Sequence, residues 1–139
     1  MPSRLPLALL PTPLVEAPRL SKALNGPRLF IKRDDLTGFG FGGNKVRGLE
    51  FYIADALDTN ADVIVTGAGP QSNHVRATAA AARVAGLDAV AVMHDSRPAD
   101  TQGNLLLDNL LGVQLLFTNY PDRSLVDSQI IPTGLSWTR

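Results

Sequence analysis

Apolar residues recur along this chain with two different periods, and the switches between them outline a fold. Leu29-Phe30-Ile31-Lys32 is a short apolar run behind Gly26-Pro27 and predicts a strand. A loop dominated by glycines 38, 40, 42 and 43 follows. The spacing then becomes helical: Leu49, Ile53, Ala56 and Leu57 form a stripe, with Glu50, Asp55 and Asp58 outside it. Val63-Ile64-Val65 predicts a buried strand ended by Gly67-Ala68-Gly69-Pro70. Residues 73–85 form an alanine-dense helical segment stopped by Gly86, a residue suited to the left-handed position after a helix. A strand over 89–93, a helix over 101–111 ended by Gly112, and a strand over 113–117 complete the series.

Strand, helix, strand, helix, strand with short connections is the pattern of a parallel sheet covered on both faces. Strands that are apolar throughout agree, because burial on both sides removes the need to alternate. The expected class is α/β, with residues 48–118 forming an open, doubly wound, three-layer unit. Residues 1–18 carry prolines at 2, 6, 11, 13 and 18, which impose extended backbone. That segment is expected to be an arm lying on another surface, with a tight turn at Pro11-Thr12-Pro13-Leu14. Residues 119–139 form a tail whose one apolar patch is Ile130-Ile131-Pro132.

Composition narrows the function classes. The chain has 139 residues, with Lys plus Arg at 13 balancing Asp plus Glu at 13. No net positive field marks a nucleic-acid or anionic-membrane surface, so neither partner is expected. Cysteine is absent, which excludes disulfides, thiolate metal sites and a cysteine nucleophile. His74 and His94 are the only histidines and fall in different units, so no zinc site is expected. The apolar runs are far shorter than the roughly 20 residues a membrane-spanning helix needs. Prolines interrupt Leu5-Pro6-Leu7-Ala8-Leu9-Leu10, unlike the apolar core of a secretory signal, so a cytoplasmic location is the expectation.

Two constellations could carry chemistry. In Gly42-Gly43-Asn44-Lys45-Val46-Arg47, paired glycines allow close backbone approach to a flat or anionic ligand. Lys45 stands at the start of the following helix, where a partly desolvated amine could attack a carbonyl; a solvated loop lysine is the plainer reading. Gly67-Ala68-Gly69-Pro70-Gln71-Ser72-Asn73-His74 lies between a buried strand and a helix N-terminus, at the carboxyl end of a parallel sheet. Ser72 suits the role of helix cap. Gly38-Phe39-Gly40-Phe41-Gly42-Gly43 fits G-x-G-x-x-G formally and opens a dinucleotide-binding alternative, weakened by two bulky phenylalanines within the turn. Asp34-Asp35 reads as a strand-end turn.

Taken together, three motifs resemble the 1-aminocyclopropane-1-carboxylate deaminase and D-cysteine desulfhydrase family. They are Ile31-Lys32-Arg33-Asp34-Asp35-Leu36-Thr37-Gly38, then Gly42-Gly43-Asn44-Lys45-Val46-Arg47 with Leu49-Glu50, then Gln71-Ser72-Asn73-His74-Val75-Arg76. Members are pyridoxal-phosphate enzymes of the tryptophan-synthase-beta-like fold, and the resemblance runs from about residue 5 to residue 117. It implies that residues 1–47 are the N-terminal part of the large domain, 48–118 the small domain, and 119–139 a tail, truncated or rearranged. Ile131-Pro132-Thr133-Gly134-Leu135-Ser136 is similar to the strand and loop that follow the small domain in the family.

By the same resemblance, pyridoxal 5'-phosphate is the cofactor. Lys45 condenses with its aldehyde and later shuttles the substrate's alpha proton, while Asn73 hydrogen-bonds its phenolic oxygen. The cofactor ring lies against Ser72-Asn73-His74, next to Asn44. Ser72 contacts the substrate carboxylate, or acts as nucleophile or acid in the deaminase branch, and Asn73 and His74 complete the substrate site. His74 is more like the desulfhydrase branch, since deaminases commonly carry glutamine there. The implied activity is D-cysteine desulfhydrase (D-cysteine to pyruvate, sulfide and ammonia), with 1-aminocyclopropane-1-carboxylate deaminase as the alternative and a chain that keeps the fold without the chemistry as a third reading. Family enzymes act on small amino acids and form homodimers. Gly48 stands where the family usually has a second lysine near the cofactor phosphate, and the family's phosphate cradle lies beyond the matched region.

Overall fold

The computed structural model describes residues 3–122 and Val126. The expected apolar patch at Ile130-Ile131-Pro132 and the similarity at 131–136 lie outside the described residues. The elements are β1 (Leu14–Glu16), α1 (Pro18–Ala23), β2 (Phe30–Lys32), α2 (Lys45–Asp58), β3 (Val63–Ala68), α3 (Asn73–Ala85), β4 (Asp88–Met93), α4 (Gly103–Leu110) and β5 (Gln114–Phe117), with one turn of 3-10 helix at Asp34–Leu36.

β3, β4 and β5 form a parallel sheet in that order, with Val65 opposite Val90 and Ala91 opposite Leu115. One sheet face carries Ala89, Ala91 and Met93 from β4, and α3 packs on it through Val75 and Ala79. α3 presents Ala77, Ala81 and Ala82 to Leu49, Ile53 and Ala56 of α2. Small alanine side chains let the two helix backbones approach closely, so one helix serves two cores at once. On the reverse sheet face Val90 and Val92 are buried as well. Gly86 ends α3 at φ 75°, in the left-handed region.

Two parts of the expectation change. Glu50 does not sit on the outer face of α2: it is only 1% exposed. The N-terminal arm covers it. Arg4 Nε donates to Glu50 Oε2 at 2.8 Å, and the N–H groups of Leu7 and Ala8 donate to Oε1 at 2.8 and 2.9 Å. Burial alone would raise this carboxyl's pKa, but those three donors outweigh it and hold the pKa below the usual value. Leu5 and Leu7 of the same arm pack on the α2–α3 core. Leu57, expected in the stripe, is exposed.

The second change concerns the glycine pattern at 38–43. The strand before it, β2, pairs antiparallel with β1, Val15 opposite Ile31. The glycine loop is therefore not the strand-to-helix turn of a βαβ unit, which removes the dinucleotide alternative. Leu14, Phe30 and Ile31 of this two-stranded ribbon are exposed. Among the described residues no helix is long and apolar enough to cross a membrane.

Candidate active site

The site is built by a glycine loop that swings the start of α2 against the start of α3. Gly42 and Gly43 adopt φ 77° and 108°, a region that side-chain-bearing residues avoid. A Cβ on Gly42 would stand 2.3 Å from the carbonyl oxygen of Asp35, so only glycine lets the loop fold back this tightly. Asp34 and Thr37 clamp the far side: the N–H of Gly43 donates to the Asp34 carbonyl at 2.8 Å, and Thr37 Oγ1, fully buried, donates to the Gly43 carbonyl at 3.1 Å. Asp34 is itself fixed by Arg47 and Thr12 (Thr12 Oγ1 to Oδ1, 2.9 Å), while Lys32 donates to the Thr12 carbonyl.

These constraints leave Asn44 and Lys45 at the mouth of a cleft of about 270 Å³, whose other walls include Asn73, Arg76, Gly42 and Gly43. Lys45 is exposed, not desolvated as the sequence reading required. Asn73 and Arg76 are one helical turn apart on α3, so both face this cleft. Arg76 is buried and its guanidinium lies 5.7 Å from the Phe41 ring centroid. His74 is half-buried, and burial together with the positive charge of Lys45 pushes its pKa down, so its imidazole is neutral at neutral pH.

Ser72 is the N-cap of α3: its Oγ accepts from the N–H groups of His74 and Val75 at 3.2 and 3.3 Å. It lines a neighbouring cleft of about 530 Å³ together with Gly69, Gln71 and His94. Lys45, Asn44 and Asn73 thus share one cleft, His74 lies within electrostatic reach of Lys45, and Ser72 opens onto the adjoining one. The Ser72 cleft lies at the carboxyl end of β3, and the Lys45 cleft between the starts of α2 and α3.

Sequence reasoning did not pair Arg47 with Asp34 and gave no role to Asn104. Asn104 Nδ2 donates to the carbonyl of Gln71 at 2.8 Å and to Asn73 Oδ1 at 3.0 Å. Arg47 closes the Gly42–Arg47 motif, and a strand-end aspartate able to pair with it was the available signal. Nothing in the local sequence points from Asn104 to Asn73.

The pyridoxal-phosphate dependent enzyme family model matches residues 5–130 of this chain, which takes in the glycine loop, Lys45 and the start of α3. The chain belongs to that family. Within it, the chain is 48% identical over 117 residues to the D-cysteine desulfhydrase of Salmonella paratyphi B, covering 81% of this chain and 35% of that protein. It is 44% identical over 103 residues to a Pyrococcus horikoshii protein provisionally named a 1-aminocyclopropane-1-carboxylate deaminase, covering 74% and 31%. The crystal structure of a 1-aminocyclopropane-1-carboxylate (ACC) deaminase homologue superposes with a TM-score of 0.81 at 36% identity, over 93% of this chain and 38% of that one. The expected family resemblance and the α/β class with a parallel sheet are both borne out. The chain spans about a third of the length of the curated relatives it matches.

Proposed function

We propose that this chain carries the lysine-bearing part of a pyridoxal-phosphate lyase acting on a small amino acid, with D-cysteine as the substrate. The supporting observation is that an amine, Lys45, and an amide, Asn73, from two different helices line one cleft. The donor set fits the cofactor at its aldehyde and ring-oxygen ends. Lys45 Nζ is exposed and able to reach a carbonyl carbon, and Asn73 Nδ2 has no hydrogen-bond partner among the described residues while Oδ1 is occupied. When bound, pyridoxal phosphate supplies an electron sink for the electrons released at the substrate's alpha carbon.

The residues of this chain do the positioning and proton transfer. Lys45 holds the cofactor and carries the proton to and from the alpha carbon. Asn73 would donate to the cofactor's phenolic oxygen, with Asn44 lining the same cleft. His74, neutral at neutral pH, and the Ser72 hydroxyl proton, left over while its oxygen caps α3, hold the substrate carboxylate. On this reading residues 1–47 belong to a large domain, 48–118 to a small one, and the whole enzyme is a cytoplasmic homodimer. Gly48 offers no cation to the cofactor phosphate, so this chain by itself holds the cofactor weakly.

ACC deaminase activity is the second reading, supported by the structural likeness to an ACC deaminase homologue. The experiment is to add pyridoxal phosphate to the chain and to Lys45→Ala. Visible absorbance from the lysine–cofactor bond is then followed, along with sulfide from D-cysteine and ammonia from 1-aminocyclopropane-1-carboxylate. Weak absorbance lost in Lys45→Ala supports cofactor binding, and sulfide release selects the first substrate over the second. Absorbance equal in both chains refutes the assignment of Lys45.

A further inference from the structure

A side-chain amide is ambiguous in a way a carboxylate is not: one end accepts hydrogen bonds and the other donates them. Which end of Asn73 faces the cleft is therefore a functional variable, and three residues outside the cleft determine it. Gln71 Oε1 accepts from the backbone N–H of Asn104 at 3.0 Å, and Gln71 Nε2 donates to the carbonyl of Gln102 at 3.1 Å. Backbone groups cannot exchange donor for acceptor, so the orientation of the Gln71 amide is fixed. The Gln71 carbonyl, also a backbone acceptor, receives Asn104 Nδ2 at 2.8 Å, which fixes the Asn104 amide too. The same nitrogen spends its other proton on Asn73 Oδ1 at 3.0 Å. Only the oxygen of Asn73 can meet that donor, so its N–H₂ end is turned away from Asn104.

Gly103 makes this clasp possible. It sits at φ 58°, and a Cβ there would be 2.5 Å from Gln71 Oε1. A side chain at this position would push the Gln71 amide out of the place it holds against the start of α4.

We infer that Asn104 is a positioning residue that sets the polarity of Asn73, so that the cleft is offered a hydrogen-bond donor and selects a ligand oxygen that accepts. The inference rests on the reading of Asn73 as the partner of the cofactor's phenolic oxygen, but the orientation itself belongs to the unliganded chain. Asn104→Asp replaces the donor by an acceptor of the same shape. The carboxylate also loses the bond to the Gln71 carbonyl, and an Asn73 that keeps contact with it must reverse, turning its own oxygen to the cleft, where it repels an acceptor. Asn104→Ala leaves Asn73 free to turn either way and is the milder change.

Two readouts on the full chain test this. In isotope-labelled protein without ligand, a scalar coupling through the hydrogen bond should connect the Asn104 side-chain nitrogen to the Asn73 side-chain carbonyl carbon. The Asn73 N–H₂ protons should exchange with water faster than those of Asn104. In Asn104→Asp the Asn73 protons should become protected instead. In the second readout, pyridoxal phosphate should bind Asn104→Asp about tenfold more weakly than the parent, the loss of roughly one hydrogen bond to a charged acceptor, with Asn104→Ala between them. Absence of the coupling, or protected Asn73 protons in the parent chain, overturns the inference. So does unchanged cofactor binding in Asn104→Asp. If the coupling is present but the parent shows no Lys45-dependent absorbance, the cofactor reading fails while the orientation stands.

Discussion

Arg47 grips Asp34 with two parallel hydrogen bonds, Nε to Oδ2 at 2.8 Å and Nη2 to Oδ1 at 2.7 Å. This fork-to-fork pairing joins the turn after β2 to the first turn of α2, and the glycine loop between them has no freedom left. The geometry of Lys45 is thus set by an ion pair formed on either side of it in sequence.

That pair predicts an acid limit. Hydrogen bonds from Arg47 and then Thr12 hold the Asp34 carboxyl down to about 2, against an ordinary value of 3.8. A carboxyl lowered in the folded state contributes stability above its unfolded pKa and loses it as pH falls through the folded one. Stability should therefore drop between about pH 4 and pH 2, and Asp34→Asn, already less stable at neutral pH, should show a shallower drop. Thermal melting across that range checks both.

Asp108 predicts the opposite slope. It is fully buried, both carboxylate oxygens lack a hydrogen-bond partner among the described residues, and burial raises its pKa to about 6 despite the positive charge of Arg76. Here the folded state binds the proton more tightly, so this group's contribution is full below about pH 4 and lost as pH rises through 6. Asp108→Asn should stabilise the protein at pH 7 by about 2 kcal/mol and flatten that slope. Urea denaturation at pH 5 and pH 7 distinguishes the two proteins.

Two glycine substitutions should differ for a physical reason. Gly86→Ala meets nothing within 4 Å and carries only the left-handed backbone cost, about 1–2 kcal/mol. Gly42→Ala adds a collision with the Asp35 carbonyl and should cost more, with the loop and Lys45 displaced. Denaturant midpoints give the ranking, and cofactor absorbance should fall for Gly42→Ala alone.

Ser72 has a structural duty that can be separated from a chemical one. Ser72→Ala removes the acceptor for two N–H groups and should cost about 1 kcal/mol. Ser72→Asp keeps a capping acceptor and should restore the stability. If Ser72 also holds a substrate carboxylate, Ser72→Asp should still raise KM for D-cysteine, by charge repulsion. Melting temperature and KM measured on both variants separate the roles.

The sequence was most informative where one element answers to one period. α3 occupies Asn73–Ala85 as its alanine spacing and Gly86 predict, and β3, β4 and β5 differ from expectation only at their ends. β1 and α1 were missed because three and six residues are too few to show a period, and both are embedded among prolines. Glu50 was misplaced because a charge on a helix normally marks its wet side, and only the fold-back of residues 4–8 turns that position inward. The Asn104–Asn73 contact spans 31 residues and joins two helix starts that only the parallel crossover brings together. In the candidate site the chemical groups were legible as motifs, whereas the parts that aim them came from distant segments.

The fastening of the leading strand of chain onto Glu50 also has a practical meaning for handling this protein. Clipping the first eight residues would strip a sealed anion of all its donors on the very helix whose first residue is Lys45. An exopeptidase nibbling from the amino end should therefore do harm well beyond the peptide it removes, loosening α2 from within, and a tag fused ahead of Met1 needs enough slack to leave that knot tied.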